Sequence, residues 1–208
     1  MAVSFDVFGT LVAVDRLDEP GAAVARELAA RGVTVPDGFA AAYREPQTAL
    51  APGRERPLSA HVRDALVSCG VKVTDPETVE AAVFAAFTSD ATVRTRPGAN
   101  AALSAAAERG PAGVCSNCRV RGLVDWTLHR GALDRSLLDA VVVSVDCGYR
   151  KPDRRPFLAV ADALGVEAAA LVHVGDDPAT DGGVTDVSGE FVPADDPAAL
   201  ADRLEGSA

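Results

Sequence analysis

The chain is poor in lysine and has no long apolar run. Of its 20 basic residues only Lys72 and Lys151 are lysines, while 30 Asp and Glu residues leave a formal charge of −10. A chain of that sign repels a phosphate backbone unless a local basic stripe compensates, and Arg94 and Arg96 do not make one. This argues against a nucleic-acid partner. Nothing approaches the ~18 apolar residues of a membrane span, and the first residues enter a core strand directly instead of forming a signal peptide. A cytoplasmic protein that acts on a small molecule, away from membranes, is the expectation.

Cysteine is also sparse. Cys115 and Cys118 stand at the spacing of a redox pair or half a zinc site, but with Cys69 and Cys147 they exhaust the supply. A structural zinc site wants four well-placed thiolates or imidazoles, and no second Cys-x-x-Cys exists. Small buried or loop thiols in a reducing compartment are expected instead.

What is present is a core. With 208 residues and 48% hydrophobic content, the chain can bury one sizeable core with a smaller appended unit. Short apolar runs at Ala112 to Ser116, Val141 to Ser144 and Leu171 to Gly175 predict strands. Between them lie helical patterns: Gly98 to Arg109, then Val120 to a stop at Gly131, then a helix opened by Pro152-Asp153 and ended at Gly165. Pro197 to Leu204 predicts a closing helix. Such alternation implies a Rossmann-like parallel α/β sheet covered on both faces.

Residues 14–92 read differently. Val24 and Leu28 share one helix, Leu58, Val62, Ala65 and Leu66 another, and Thr74 to Glu77 forms a capping box for a third carrying Val79, Val83 and Phe87. The expected division is therefore a core of residues 1–13 and 93–208, with an all-helical insertion at 14–92 after the first strand. Glu45 to Pro57 reads as loop.

Asp6-Val7-Phe8-Gly9-Thr10 ends an apolar run, so a buried strand delivers one carboxylate to its C-terminal end, followed by a Gly turn and a hydroxyl. Val114-Cys115-Ser116-Asn117 is a strand ending in a hydroxyl. Gly148-Tyr149-Arg150-Lys151-Pro152-Asp153 sets a lysine before a helix. Leu171-Val172-His173-Val174-Gly175-Asp176-Asp177, with Asp181 beyond, is a strand ending in carboxylates. In this order the four segments resemble the motifs of the haloacid dehalogenase superfamily of aspartate-nucleophile hydrolases, and the insertion resembles its helical cap.

That resemblance implies the chemistry. Asp6 would attack phosphorus or carbon to form a covalent intermediate, Thr10, Ser116 and Asn117 would bind the transferring group or its surroundings, and Lys151 would neutralise charge. Mg²⁺ would be held by Asp6, the Phe8 backbone carbonyl and Asp176, with Asp177 and Asp181 completing or orienting that shell.

Phe8 departs from the phosphatase pattern, which carries a proton-transferring Asp at that position; a benzyl ring transfers no proton. An aromatic there is typical of the 2-haloacid dehalogenase branch, whose halide-binding cap segment Tyr43-Arg44-x-x-Gln47 also resembles. Against that branch stand Asp176, Asp177 and Asp181, because carboxylates added beside Asp6 without a divalent cation disfavour an anionic nucleophile. A Mg²⁺-dependent phosphatase is the preferred reading. Metal-free dehalogenation and a non-catalytic phosphate-ligand protein are the alternatives.

Overall fold

A computed structural model describes residues 1–15, 17–73 and 75–194. Its centre is a five-stranded, all-parallel sheet in the order β5-β4-β1-β6-β7. The strands are β1 (Ala2–Phe5), β4 (Ala112–Ser116), β5 (Ala140–Val143), β6 (Leu171–Gly175) and β7 (Glu190–Pro193). The apolar runs of β1, β4 and β6 are buried at every residue, as a sheet covered on both faces requires.

Alternation along β1 decides which face each side chain serves. Val3 and Phe5 join a large cluster with Val114, Leu103 and Leu128, whereas Ala2 joins a second cluster with Phe157, Val160 and Leu164. Helices α5 (Ala99–Arg109) and α6 (Leu123–Arg130) supply the first cluster and α8 (Arg154–Ala163) the second. Gly131 caps α6 as expected, and α8 starts one residue later than its Pro-Asp signal, with Asp153 accepting a bond from Arg155 N.

Before this sheet closes, a second ribbon forms. β2 (Val12–Val14) pairs antiparallel with β3 (Val93–Thr95), so Val14 lies opposite Val93. The divisions expected at 13/14 and 92/93 fall at this ribbon. Between its strands lie four helices: α1 (Pro20–Ala30), α2 (Phe39–Arg44), α3 (Leu58–Ser68) and α4 (Pro76–Thr88). Val24, Leu28, Val62, Leu66, Val79 and Val83 are buried and belong to the same cluster as Val3 and Phe5. Arg44, just before the expected loop, is the last residue of α2. Asp75 caps α4 by accepting from Glu77 N, while Thr74 of the expected capping box and the expected helix Pro197 to Leu204 lie outside the described residues.

Two short helices, α7 (Ser144–Cys147) and α9 (Pro178–Asp181), follow β5 and β6. Strands β2, β3 and β7 have no sequence forerunner. Each has only three or four residues and partial burial, too little for a period-2 pattern to stand out.

Candidate active site

The carboxyl ends of β1, β4 and β6 converge, because β1 is the central strand and the chain crosses to either side of it. Open parallel sheets bind ligands in that crevice. Asp6 follows β1, Ser116 ends β4 and Asp176 follows β6, so residues 110 and 170 positions apart meet.

Lys151 is the hub. Its Nζ donates to Asp6 Oδ1 at 2.9 Å, to the Cys115 carbonyl at 2.7 Å and to Asp181 Oδ1 at 2.5 Å. Burial opposes its charge, yet the carboxylates of Asp6 and Asp181 outweigh that penalty and raise its pKa above the ordinary lysine range. The Ser116 hydroxyl donates to the same Asp6 Oδ1 at 2.9 Å. The other oxygen, Oδ2, accepts no hydrogen bond from the described residues and is the one open for chemistry.

Asn117 braces the lysine loop: its Nδ2 donates to the Lys151 carbonyl at 3.0 Å while its Oδ1 accepts from Lys151 N at 2.8 Å. Thr10, expected at the transferring group, instead donates its hydroxyl to Asp176 Oδ1 at 3.2 Å. Asp176 has its pKa raised, first by burial and then by the Asp6 charge. Gly9 lies against it, with φ of +93°, and a Cβ there would stand 2.2 Å from Asp176 Oδ2. Only glycine satisfies both the dihedral and the space.

Asp181 and Asp177 are both engaged by neighbouring protein groups. Asp181 Oδ1 accepts from Lys151 and Oδ2 from Asp177 N at 3.1 Å, so both oxygens are engaged. Burial alone would raise its pKa, but bonds from His173 and Lys151 pull it down to about 2. The Asp177 carboxylate caps α9 through Ala179 N and accepts from the Thr180 hydroxyl.

Sequence reasoning assigned no role to three contributors. His173 and Ser4 sit opposite one another in the β1–β6 register, joined through Nδ1 and Oγ at 2.8 Å. Arg96 donates to the Gly9 carbonyl and steadies the turn after Asp6. A polar residue amid the apolar runs of β1 and β6 was the available signal for Ser4 and His173; Arg96 had none. The thiols are all free, and burial raises Cys115 to about 12 and Cys118 to about 11, so neither is a reactive thiolate.

In front of Asp176 opens a cavity of ≈ 820 Å³ lined by Phe8, Leu17, Tyr43, Phe87, Trp126 and Asn117, among others. Core loops and helices α2, α3 and α4 all contribute to its wall. Arg44 lies in a neighbouring pocket instead. No helix among the described residues is long and apolar enough to cross a membrane.

Among the described residues no three His, Cys, Asp or Glu side chains form a cage for a metal ion. Mg²⁺ does not demand one: it is usually held by one or two carboxylates and keeps several waters. Asp6 and Asp176 supply two, and the Phe8 carbonyl accepts no hydrogen bond from the described residues. The donor set fits the ion.

A parallel sheet with carboxylates and a buried lysine at its switch point places the molecule in the doubly wound α/β class, with a charged ligand crevice at the carboxyl ends of its strands. Residues 1–182 match the model of the haloacid dehalogenase-like hydrolases, and the chain belongs to that family. Over 83 residues it is 42% identical to the phosphoglycolate phosphatase of Rhodospirillum rubrum, a match covering 39% of this chain and 34% of that protein. Among solved structures it resembles a 2-haloacid dehalogenase from Pseudomonas syringae pv. Tomato DC3000 (TM-score 0.62, 23% identity, 91% of this chain and 84% of that one). A predicted phosphoglycolate phosphatase from Haemophilus somnus 129PT is similar too, with TM-score 0.56 and 16% identity over 96% and 90% of the chains. At those identities the structures speak to the fold alone.

Proposed function

We propose that the protein is a Mg²⁺-dependent phosphatase acting on a small organic phosphate, with helices α1 to α4 as a cap over the site. The observation that carries this reading is an imbalance of charge. Asp6 and Asp181 share a single ammonium, Asp176 forms no ion pair among the described residues, and burial together with Asp6 already pushes the Asp176 carboxyl upward. A divalent cation offsets that excess, whereas metal-free halide displacement would leave it in place. The partial likeness to a phosphoglycolate phosphatase points the same way.

Asp6 Oδ2 attacks phosphorus as the ester P–O bond breaks, which leaves a phosphoryl group on Asp6 and releases the alkoxide, which takes its proton from water. Water then attacks phosphorus and returns the Asp6 carboxylate with inorganic phosphate. Lys151 and Ser116 hold Oδ1 and set the carboxylate's orientation; Thr10 and the Gly9 turn position Asp176. Mg²⁺, held by Asp6, Asp176 and the Phe8 carbonyl, would supply charge neutralisation for the phosphoryl oxygens.

Phe8 favours a second reading. Its ring lines the largely apolar cavity in place of a proton donor, which suits displacement of halide from a 2-haloacid. Phosphate and halide release, measured with a panel of phosphorylated metabolites and haloacids with and without Mg²⁺, separate the two. Phosphate release that requires Mg²⁺ and vanishes in Asp6→Asn is the expected result. Halide release in the presence of chelator would replace it with the second reading.

A further inference from the structure

A basic basin lies beside the site of this acidic protein. A second pocket of ≈ 340 Å³ adjoins the apolar cavity, with Tyr43 and Arg119 on the walls of both. Arg44, Arg54, Arg56, Arg119 and Arg150 line it, against Glu45 and Glu55. Two of these guanidiniums are committed: Arg56 pairs with Asp64 at 2.6 Å, and Arg119 lies 3.5 Å from Glu55. Arg44, Arg54 and Arg150 form no ion pair among the described residues.

Arg54 and Arg150 are set in place by backbone. Glu55 N donates to the Gly148 carbonyl at 2.9 Å and Arg150 N to the Gly53 carbonyl at 2.8 Å, with Arg54 bridged to Tyr149 between them. Gly53 adopts φ of +74°, and a Cβ there would stand 2.5 Å from Asp153 Oδ2, so glycine lets the two loops close. The Arg54 guanidinium lies over the Tyr149 ring at 4.7 Å, a stacking that leaves its N–H edge available to an anion. Arg150 directly precedes Lys151, and Arg119 follows Ser116 by three residues, so the loops that build the site also build the basin.

We propose that this basin binds a second anionic group, carboxylate or phosphate, at the non-reacting end of the substrate. The substrate class is then a small organic phosphate that carries another negative charge. The reacting end rests on the phosphatase reading above; the anion site itself does not.

Calorimetric titration of the full chain in chelator, where the proposed Mg²⁺-dependent reaction does not run, compares 3-phosphoglycerate with glycerol 3-phosphate, which differ by a carboxylate in place of a hydroxymethyl. A charge-assisted bidentate contact predicts tighter binding of the carboxylate by about 10-fold or more. Arg54→Gln combined with Arg150→Gln should bring that ratio to about one. Arg150→Gln alone, which keeps the backbone bond to Gly53, should lower it partway. Equal affinities in the wild type, or a ratio that neither folded variant moves, overturn the proposal. Inorganic phosphate distinguishes the sources: it should displace 3-phosphoglycerate, and simultaneous binding of both would assign the basin to a separate anion and overturn the substrate assignment. Turnover is read independently, so an intact ratio without hydrolysis strikes the phosphatase reading and supports the basin.

Discussion

Ser4 and His173 are neighbours in parallel register, and together they assign the protons of the buried cluster. The Lys151 ammonium spends its three N–H groups on Asp6, Cys115 and Asp181, its shortest contacts, leaving His173 Nε2 at 3.3 Å without a proton to accept. Asp181 can only accept, so Nε2 carries the hydrogen that meets Oδ1 at 3.1 Å. Nδ1 then accepts from the Ser4 hydroxyl. Burial, reinforced by the Lys151 charge, lowers the His173 pKa and keeps this ring neutral.

His173→Phe keeps the ring volume against Phe157, whose centroid lies 5.2 Å away, but removes the Nε2–H donor and strands the Ser4 hydroxyl. Urea unfolding should show a loss of about 1–3 kcal/mol, the cost of leaving buried polar groups unpaired. Adding Ser4→Ala should return part of it. A fully additive double variant would contradict the shared bond.

Lys151→Met leaves Asp6 and Asp181 buried with no cation beside them. Removal of one partner from a buried ionic cluster costs about 3–5 kcal/mol, and turnover should be lost with it. Asp181→Asn introduced into that background should recover much of the stability without restoring turnover. Unfolding curves and phosphate release, read side by side, check both halves.

The pH dependence of stability follows from Asp181. Its folded pKa of about 2 lies below the unfolded value of ~3.9, so its contribution is complete above about pH 5 and is lost as pH falls through the folded pKa. The loss should approach ~2 kcal/mol between those limits. Denaturant unfolding at pH 5 and pH 2 measures it, and Asp181→Asn should flatten that slope. A variant as acid-sensitive as the wild type would remove Asp181 from the account.

Phe8→Asp places a carboxylate two residues after Asp6, where a proton carrier would stand. Turnover of alkyl phosphates, whose alkoxides need a proton, should rise relative to aryl phosphates by a factor within the ~10²–10⁴ range of general acid catalysis. Because the Phe8 ring also lines the cavity, both rates can fall together, and their ratio discounts that common loss. An unchanged ratio in a folded variant that binds Mg²⁺ assigns proton transfer to another residue.

The sequence by itself determined four of the sheet's five strands and the identity of its chemical groups. Ala112–Ser116 and Leu171–Gly175 are strands with the expected bounds, since wholly buried apolar runs bounded by polar and Gly residues have few other folds open to them. Asp6 and Ser116 were legible because each ends or follows such a run, and Lys151 because it stands just before a Pro-Asp helix start. What each group touches was decided only by the tertiary structure. Thr10 and Asp176 are 166 residues apart and Ser4 and His173 are 169, and their pairings exist through strand register, a non-local quantity that no local pattern encodes. The metal candidate Asp177 is also a helix cap because α9 starts at the next residue, a helix too short to announce itself. The arginine basin came likewise from the docking of Gly53–Glu55 on Gly148–Arg150, which gathers guanidiniums scattered from residue 44 to residue 150 into one pocket.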